Sequence, residues 1–290
     1  MINAYLESLQ FEKRSSEHTI SSYRTDLEQF SRYLFDQYEM TEPETASPAM
    51  LRSWVVKLME DGLSAVSVNR KIASLRSFYG YLRKKRLVNS DPSKMLSVLK
   101  TRKKLPVYVE EKSMEMLFEE EIFSDDDAGL RDKLIIELLY GSGIRLSEIL
   151  GLDTSHVDLR AKTIRVLGKR AKERLIPVSS FVIDLLSKYM IVRAPVEDTD
   201  ALIITDSGKA AYPVFIQRVV KKYLSAVTTL QQKSPHVLRH TYATHLLNRG
   251  ADLNAIKELL GHTNLAATQI YTHNSIEKLK KTHQQAHPKA

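Results

Sequence analysis

Apolar residues three and four apart run through this chain almost from end to end, and strand-like alternation interrupts them in only one place. Between residues 2 and 86, Tyr5, Leu6 and Leu9, then Ile20, Tyr23, Leu27, Phe30 and Leu34, then Leu51, Val55 and Leu58, then Val68, Ile72, Leu75 and Tyr79 follow this spacing. A helix brings such positions to one side, so each group reads as one amphipathic helix. Pro, Gly, Thr and Ser in residues 42–48 and 61–64 mark the joints. Four helices with no strand among them predict a small all-helical domain over residues 1–88.

Residues 89–106 turn polar and then basic, with Lys100, Arg102, Lys103 and Lys104 ahead of Pro106, and read as an interdomain linker. A second domain over residues 107–290 shows helical spacing at 130–140, 145–150, 182–189, 214–226, 235–248, 253–260 and 265–271. Residues 163–168 and 173–178 alternate instead, and Lys169, Arg170, Ala171 and Lys172 between them make a projecting hairpin tip. The expected fold is mainly α, a four-helix N-terminal domain and a mostly helical C-terminal domain with a small antiparallel sheet.

Composition narrows the partners. At 290 residues two cores can form, and 43 Lys and Arg against 35 Asp and Glu leave a net charge of +8. That excess favours a polyanion, although a solvated basic surface carries the same charge. The absence of cysteine excludes disulfides and thiolate metal or redox sites. With no apolar run near ~20 residues and no signal-peptide start, the reading is a cytoplasmic protein with no membrane role.

The chemistry concentrates in the second domain. Ser234 can cap a helix opening with Pro235, which puts His236 and Arg239 on one face of its first turns, where a helix N-terminus attracts phosphate and an arginine fork can hold two oxygens. A structural arginine with a carboxylate partner reads the same way. Arg145 follows Gly141 and Gly143 with Glu148 three residues on, either a simple surface pair or half of a two-arginine grip on one phosphate. Gly261 ends a helix and brings His262 into a turn, and Tyr271 stands at the far end of the next helix. A tyrosine with its ordinary pKa of about 10 needs a base and cations nearby before it attacks phosphorus; otherwise Tyr271 is core. Tyr189, Tyr212, Tyr223 and Tyr242 lack the preceding Gly-His turn. His236, His240 and His245 have zinc-like spacing but no Cys or acidic third ligand, and Asp125, Asp126 and Asp127 diverge in a loop, so no metal or cofactor is expected.

The ordered series Arg145, Lys169, His236-x-x-Arg239, His262 and Tyr271 resembles the active site of tyrosine recombinases, and the residues around each member look most like the Xer branch. The resemblance spans nearly the whole chain. It implies a SAM-like N-terminal domain and a catalytic domain, with Tyr271 as nucleophile, Arg145 and Arg239 as the phosphate clamp, Glu148 orienting Arg145, and Lys169 protonating the departing 5′ oxygen. Lys172 and Arg170 rival Lys169, since Arg170 stands where the family wording has glycine.

On this reading Arg70, Lys71 and Arg76 on an N-terminal helix, Lys103 and Lys104 in the linker, and Arg170 and Lys172 at the hairpin bind DNA. The resemblance further implies cleavage and rejoining of double-stranded DNA at a specific site through a 3′-phosphotyrosine. It implies four protomers, either identical or shared with a related recombinase, a tail over residues 274–290 that docks on a neighbour, and a septal DNA translocase as a candidate partner. Resolution of chromosome or plasmid dimers is the expected role. A mobile-element integrase or transposase shares every catalytic residue, a type IB topoisomerase shares the chemistry, and a non-catalytic DNA-binding protein would lack the need for Tyr271.

Overall fold

The protein is described from a computed structural model, which defines residues 1–13, 15–101, 107–119, 122–168, 173–195 and 199–261. The chain divides into two compact units, Met1–Lys104 and Leu105–Ala290, each with its own apolar core.

The first unit is built from α1 (Ile2–Phe11), α2 (Glu17–Tyr38), α3 (Pro48–Glu60) and α4 (Ala65–Lys84). Serine starts three of them. The hydroxyls of Ser16, Ser47 and Ser64 accept the backbone N–H of Thr19, Met50 and Ser67, satisfying donors that a helix start leaves unpaired. Leu27, Phe30 and Leu34 of α2, Leu51 and Trp54 of α3, and Ile72, Leu75 and Phe78 of α4 are buried together with Tyr5 and Leu6 of α1. The helical spacing therefore marks the faces that meet.

Two expectations for this unit change. Residues 92–99 are folded against α4: Pro92–Met95 forms a 3-10 turn, Leu96 joins the core, and the Asn69 side chain both donates to the Leu99 carbonyl at 2.9 Å and accepts its N–H at 2.8 Å. The expected linker from residue 89 is thus anchored through Leu99. Lys71, expected on the DNA-facing surface, is 4% exposed, and its ammonium donates to the fully buried Asp26 at 2.9 Å. Its charge is committed inside the core. Arg70 is exposed yet also pairs with Asp26, and Arg76 donates to the Leu96 carbonyl at 2.6 Å.

The second unit comprises α5 (Glu111–Glu119), α6 (Asp127–Gly141), α7 (Leu146–Leu150), α8 (Ser180–Val192), α9 (Pro213–Val227), α10 (Pro235–Asn248) and α11 (Leu253–Leu260). A three-stranded antiparallel sheet, β1 (Val157–Asp158), β2 (Thr163–Leu167) and β3 (Glu173–Pro177), is inserted between α7 and α8. Helix α6 is buried almost all round and packs against α8, α9 and α10, which explains its weak amphipathic pattern. Strands β2 and β3 pair from Thr163↔Pro177 to Leu167↔Glu173, with Ile164, Val166, Arg174 and Ile176 on the buried side. Helix α5 and β1 lie outside the expected elements: β1 has only two residues, whereas α5 carries its signal in Met114, Leu117 and Phe118 at helical spacing, with Met114 and Leu117 buried.

The Asp26–Lys71 pair generates a stability prediction. Asp26→Ala strands a buried ammonium and should destabilise the first unit by about 3–5 kcal/mol, whereas Asp26→Leu combined with Lys71→Met removes both charges and should cost far less. Urea unfolding of the two variants compares them directly; equal losses would contradict the buried-pair account.

Candidate active site

Helix α10 is the scaffold of the site. Its back face is anchored to the residues that enter the unit: Val109 N–H donates to Thr241 Oγ1 at 3.0 Å, and the Val109 carbonyl lies 3.0 Å from His245 Nε2. A carbonyl only accepts, so Nε2 carries the proton and Nδ1 accepts from the Tyr140 hydroxyl, also at 3.0 Å. Burial lowers the His245 pKa, in keeping with a neutral ring whose two nitrogens are both engaged, which removes His245 from the zinc spacing with His236 and His240. Among the described residues no three His, Cys, Asp or Glu side chains converge as a metal site.

On the front of α10, His236 is exposed at the second helical position and lines a depression of about 550 Å³ with Lys233, Ser234 and His240. Ser234 occupies the N-cap position, but its hydroxyl makes no capping bond, contrary to the expected side-chain cap. One turn on, Arg239 is 8% exposed and its fork reaches two backbone carbonyls: Nη1 donates to Gly143 and Nη2 to Leu260 at 2.6 Å.

The Gly143 carbonyl is available because the turn before α7 passes close to α10. Gly143 has φ +61°, and a Cβ there would fall 2.5 Å from the Tyr242 ring, so both conformation and space require glycine. The turn delivers Arg145 to the start of α7, where the Glu148 carboxylate accepts the Arg145 backbone N–H at 2.8 Å and its Nη1 at 2.7 Å. Arg145 Nη2 donates to the Gly261 carbonyl at 3.0 Å. Arg145 and Arg239 therefore hold adjacent carbonyls at the C-terminus of α11, the negative end of that helix. Gly261 caps α11 in the left-handed conformation at φ +63°.

A third arginine completes the cluster. Arg174 on β3 is 6% exposed and takes both oxygens of Glu148, Nη1 to Oε1 at 2.6 Å and Nη2 to Oε2 at 2.9 Å. It is absent from the sequence-based set. Its signal was its place in the alternation, a cation two residues before Ile176 on the inward face of a strand. Burial acts to raise the Glu148 carboxyl, but the hydrogen bonds and charge of Arg174, then the groups of Arg145, outweigh it and bring its pKa down to about 2. Burial, then the charge of Arg145, brings the Arg239 guanidinium down to about 10, so it stays charged at neutral pH. Arg145 and Arg174 share one carboxylate with Arg239 close by, leaving a surplus of positive charge suited to an anion.

Lys169, Arg170, Lys172, His262, Tyr271, Lys103, Lys104 and the expected tail over residues 274–290 lie outside the described residues. The strands flanking residues 168–172 are defined, and so is Gly261 immediately before His262. Of the tyrosines set aside, Tyr242 is fully buried with its pKa pushed up by desolvation, Tyr189 accepts the Ile204 N–H at 3.2 Å, and Tyr223 donates to Asp132 at 3.1 Å.

The sequence pattern of the phage integrase family matches residues 108–278, and that of the phage integrase N-terminal SAM-like domain matches residues 2–86. The chain belongs to the phage integrase family, whose members include the tyrosine recombinases. It is 36% identical over 295 residues to tyrosine recombinase XerC of Bacillus subtilis (strain 168), covering 100% of this chain and 96% of that protein. It is 37% identical over 294 residues to tyrosine recombinase XerD of Proteus mirabilis, covering 100% and 93%. The fold is similar to that of the XerH site-specific recombinase bound to difH substrate, with a TM-score of 0.69 at 23% identity over 97% of this chain and 83% of that one. Among the described residues no helix is long and apolar enough to cross a membrane.

The depressed Glu148 pKa sets a pH dependence. A carboxyl at about 2 when folded and near 4.5 when unfolded stabilises the fold fully above pH 4.5, by about 3 kcal/mol, and loses that contribution as pH falls towards 2. Glu148→Gln should therefore be the less stable protein at pH 7, with the gap to wild type closing between pH 4.5 and 2. A gap that stays constant in urea melts across this window would show that Glu148 titrates normally.

Proposed function

We propose that this protein is a site-specific recombinase that cuts and rejoins double-stranded DNA through a 3′-phosphotyrosine, with the resolution of chromosome or plasmid dimers as its cellular role. The observation that carries the reading is the convergence of Arg145 and Arg239 on adjacent carbonyls beside a single, doubly shared carboxylate. Two guanidinium forks held this close can take the non-bridging oxygens of one phosphate and offset the charge that grows in the transition state.

In this mechanism the Tyr271 oxygen attacks the scissile phosphorus in line, and its proton passes to the histidine pair His236 and His262. The bond from phosphorus to the 5′ oxygen breaks. Lys169 gives its proton to that oxygen, leaving a 5′ hydroxyl and a covalent 3′-phosphotyrosyl link. The phosphodiester bond is exchanged rather than hydrolysed, so a 5′ hydroxyl attacking in reverse rejoins the strand. Glu148 holds Arg145 to its task. Arg70, Arg76, Lys103, Lys104, Arg170 and Lys172 contribute cations to the duplex backbone, where such contacts set position and a few base contacts set sequence. End-to-end similarity to the XerC and XerD proteins supports dimer resolution over a mobile-element role. The same reading has the enzyme act in the cytoplasm as four protomers, identical or shared with a related recombinase, with a septal DNA translocase as a candidate partner.

Tyr271→Phe loses one hydroxyl and should bind DNA nearly as well as wild type while forming no SDS-stable adduct on a nicked duplex. An adduct from the Phe variant would eliminate Tyr271 as nucleophile. Arg145→Ala and Arg239→Ala should each slow adduct formation by at least ~10²-fold.

Lys169 is tested by the leaving group. An alkoxide needs a proton as it departs, for which a general acid contributes about 10²- to 10⁴-fold, whereas a thiolate leaves readily without one. Lys169→Ala should therefore recover most of its rate on DNA with sulfur at the bridging 5′ position, while Arg239→Ala should not. Rescue of Lys172→Ala in its place would move the acid to Lys172.

A further inference from the structure

Arg174 has no part in the chemistry above, yet its burial is costly. It occupies an inward position on β3 level with Val166, where an aliphatic side chain would fill the same space without desolvating a charge. Its Nε is buried with no hydrogen-bond partner among the described residues. Among the described residues the rest of its guanidinium is spent on one group, the Glu148 carboxylate, both of whose oxygens it holds.

What Glu148 does with its remaining capacity explains the arrangement. The Oε1 that Arg174 binds at 2.6 Å also accepts Arg145 Nη1 at 2.7 Å, and the Oε2 it binds at 2.9 Å also accepts the Arg145 backbone N–H at 2.8 Å. Held from Arg145 alone, the carboxylate could turn together with the side chain it is meant to orient. Held from the strand as well, it becomes a fixed acceptor. Arg174 also lies against the Gly261 turn: a Cβ on Gly261 would fall 3.0 Å from its Nη1 and 3.1 Å from its Cζ. Arg174 thus belongs to the strand that follows residues 169–172 in the chain, and its guanidinium borders the carboxylate that holds Arg145 and the Gly261 turn.

We propose that Arg174 is a positioning residue for strand cleavage, acting through Glu148 to fix the Arg145 guanidinium that receives the scissile phosphate. The inference rests on the recombinase reading. Arg174 touches no substrate atom in it; its effect is on where Arg145 points, and a displacement of about 1 Å in such a group can cost on the order of 10²-fold in rate.

The test uses the full-length protein and a nicked duplex carrying the sequence that wild type selects from a random duplex library. Arg174→Lys keeps a cation beside Glu148 but cannot bridge both oxygens, and Arg174→Gln, which still donates to one oxygen, is the second variant. Each should leave Kd within about twofold while slowing covalent adduct formation on the order of 10²-fold, since the orientation matters most in the transition state. Arg145→Ala combined with Arg174→Lys should be no slower than Arg145→Ala alone, because both substitutions remove one interaction. With a neutral methylphosphonate at the scissile position, the charge that Arg145 offsets is gone, and Arg174→Lys should recover towards wild type. A purely structural lesion would not respond to the charge on one phosphate. Wild-type rates in both variants, equal slowing on both substrates, or a double variant clearly slower than Arg145→Ala would each overturn the proposal. If wild type itself forms no adduct, the recombinase reading fails and takes this inference with it; if wild type cleaves and the variants cleave equally well, only the inference fails.

Discussion

The carboxylate of Glu148 is the group on which the site depends. It is 4% exposed and accepts from two arginines and one backbone N–H, so that β3, the turn before α7 and α7 itself meet on two oxygen atoms. A carboxylate buried this deeply is tolerated only because each oxygen is satisfied by charged donors. Those donors are in turn held apart from one another by the anion between them. Without it, Arg145, Arg174 and the nearby Arg239 would be cations repelling across a buried space. With it, two of the three remain oriented towards the end of α11, where helix carbonyls occupy part of their hydrogen-bonding capacity.

The same geometry links charge to backbone. Gly143 and Gly261 both adopt positive φ, and each lies where a side chain would strike a neighbour, Tyr242 in one case and Arg174 in the other. These two turns deliver Arg145 to α7 and lead out of α11 towards His262. Their carbonyls are bound by the arginines, Gly143 by Arg239 and Gly261 by Arg145. The turns and the cations therefore constrain one another, which accounts for glycine at two positions where the chain changes direction beside the site.

Much of this was legible in the chain. The four helices of the first unit, the β2–β3 hairpin, and the spacing of Arg145 with Glu148 follow from periodicity, because the residues involved are close along the chain. Contacts made across the fold were not legible from spacing. Arg239 and the Gly143 carbonyl are 96 residues apart, and Arg174 and Glu148 are 26 apart on different elements. Lys71 shows the opposite failure: a lysine on a basic helix reads as surface until Asp26, 45 residues earlier, is seen to hold it inside. Residues 92–99 lie between a polar passage at 89–92 and the basic run from Lys100 and were read with them as linker, yet Leu96 joins the core and paired bonds from Leu99 to the Asn69 side chain, 30 residues away, anchor them. The roles proposed for Lys169, His262 and Tyr271 rest on family resemblance, which neither periodicity nor spacing could replace.

The central claim is that a cluster organised by Glu148 receives a phosphate. A structure of the protein bound to a nicked duplex of its selected sequence tests this most directly. The account predicts one DNA phosphate within hydrogen-bonding distance of both Arg145 and Arg239, with Glu148 still held by Arg174. A scissile phosphate seated away from those two arginines, or a Glu148 released from Arg174 when DNA binds, would contradict it.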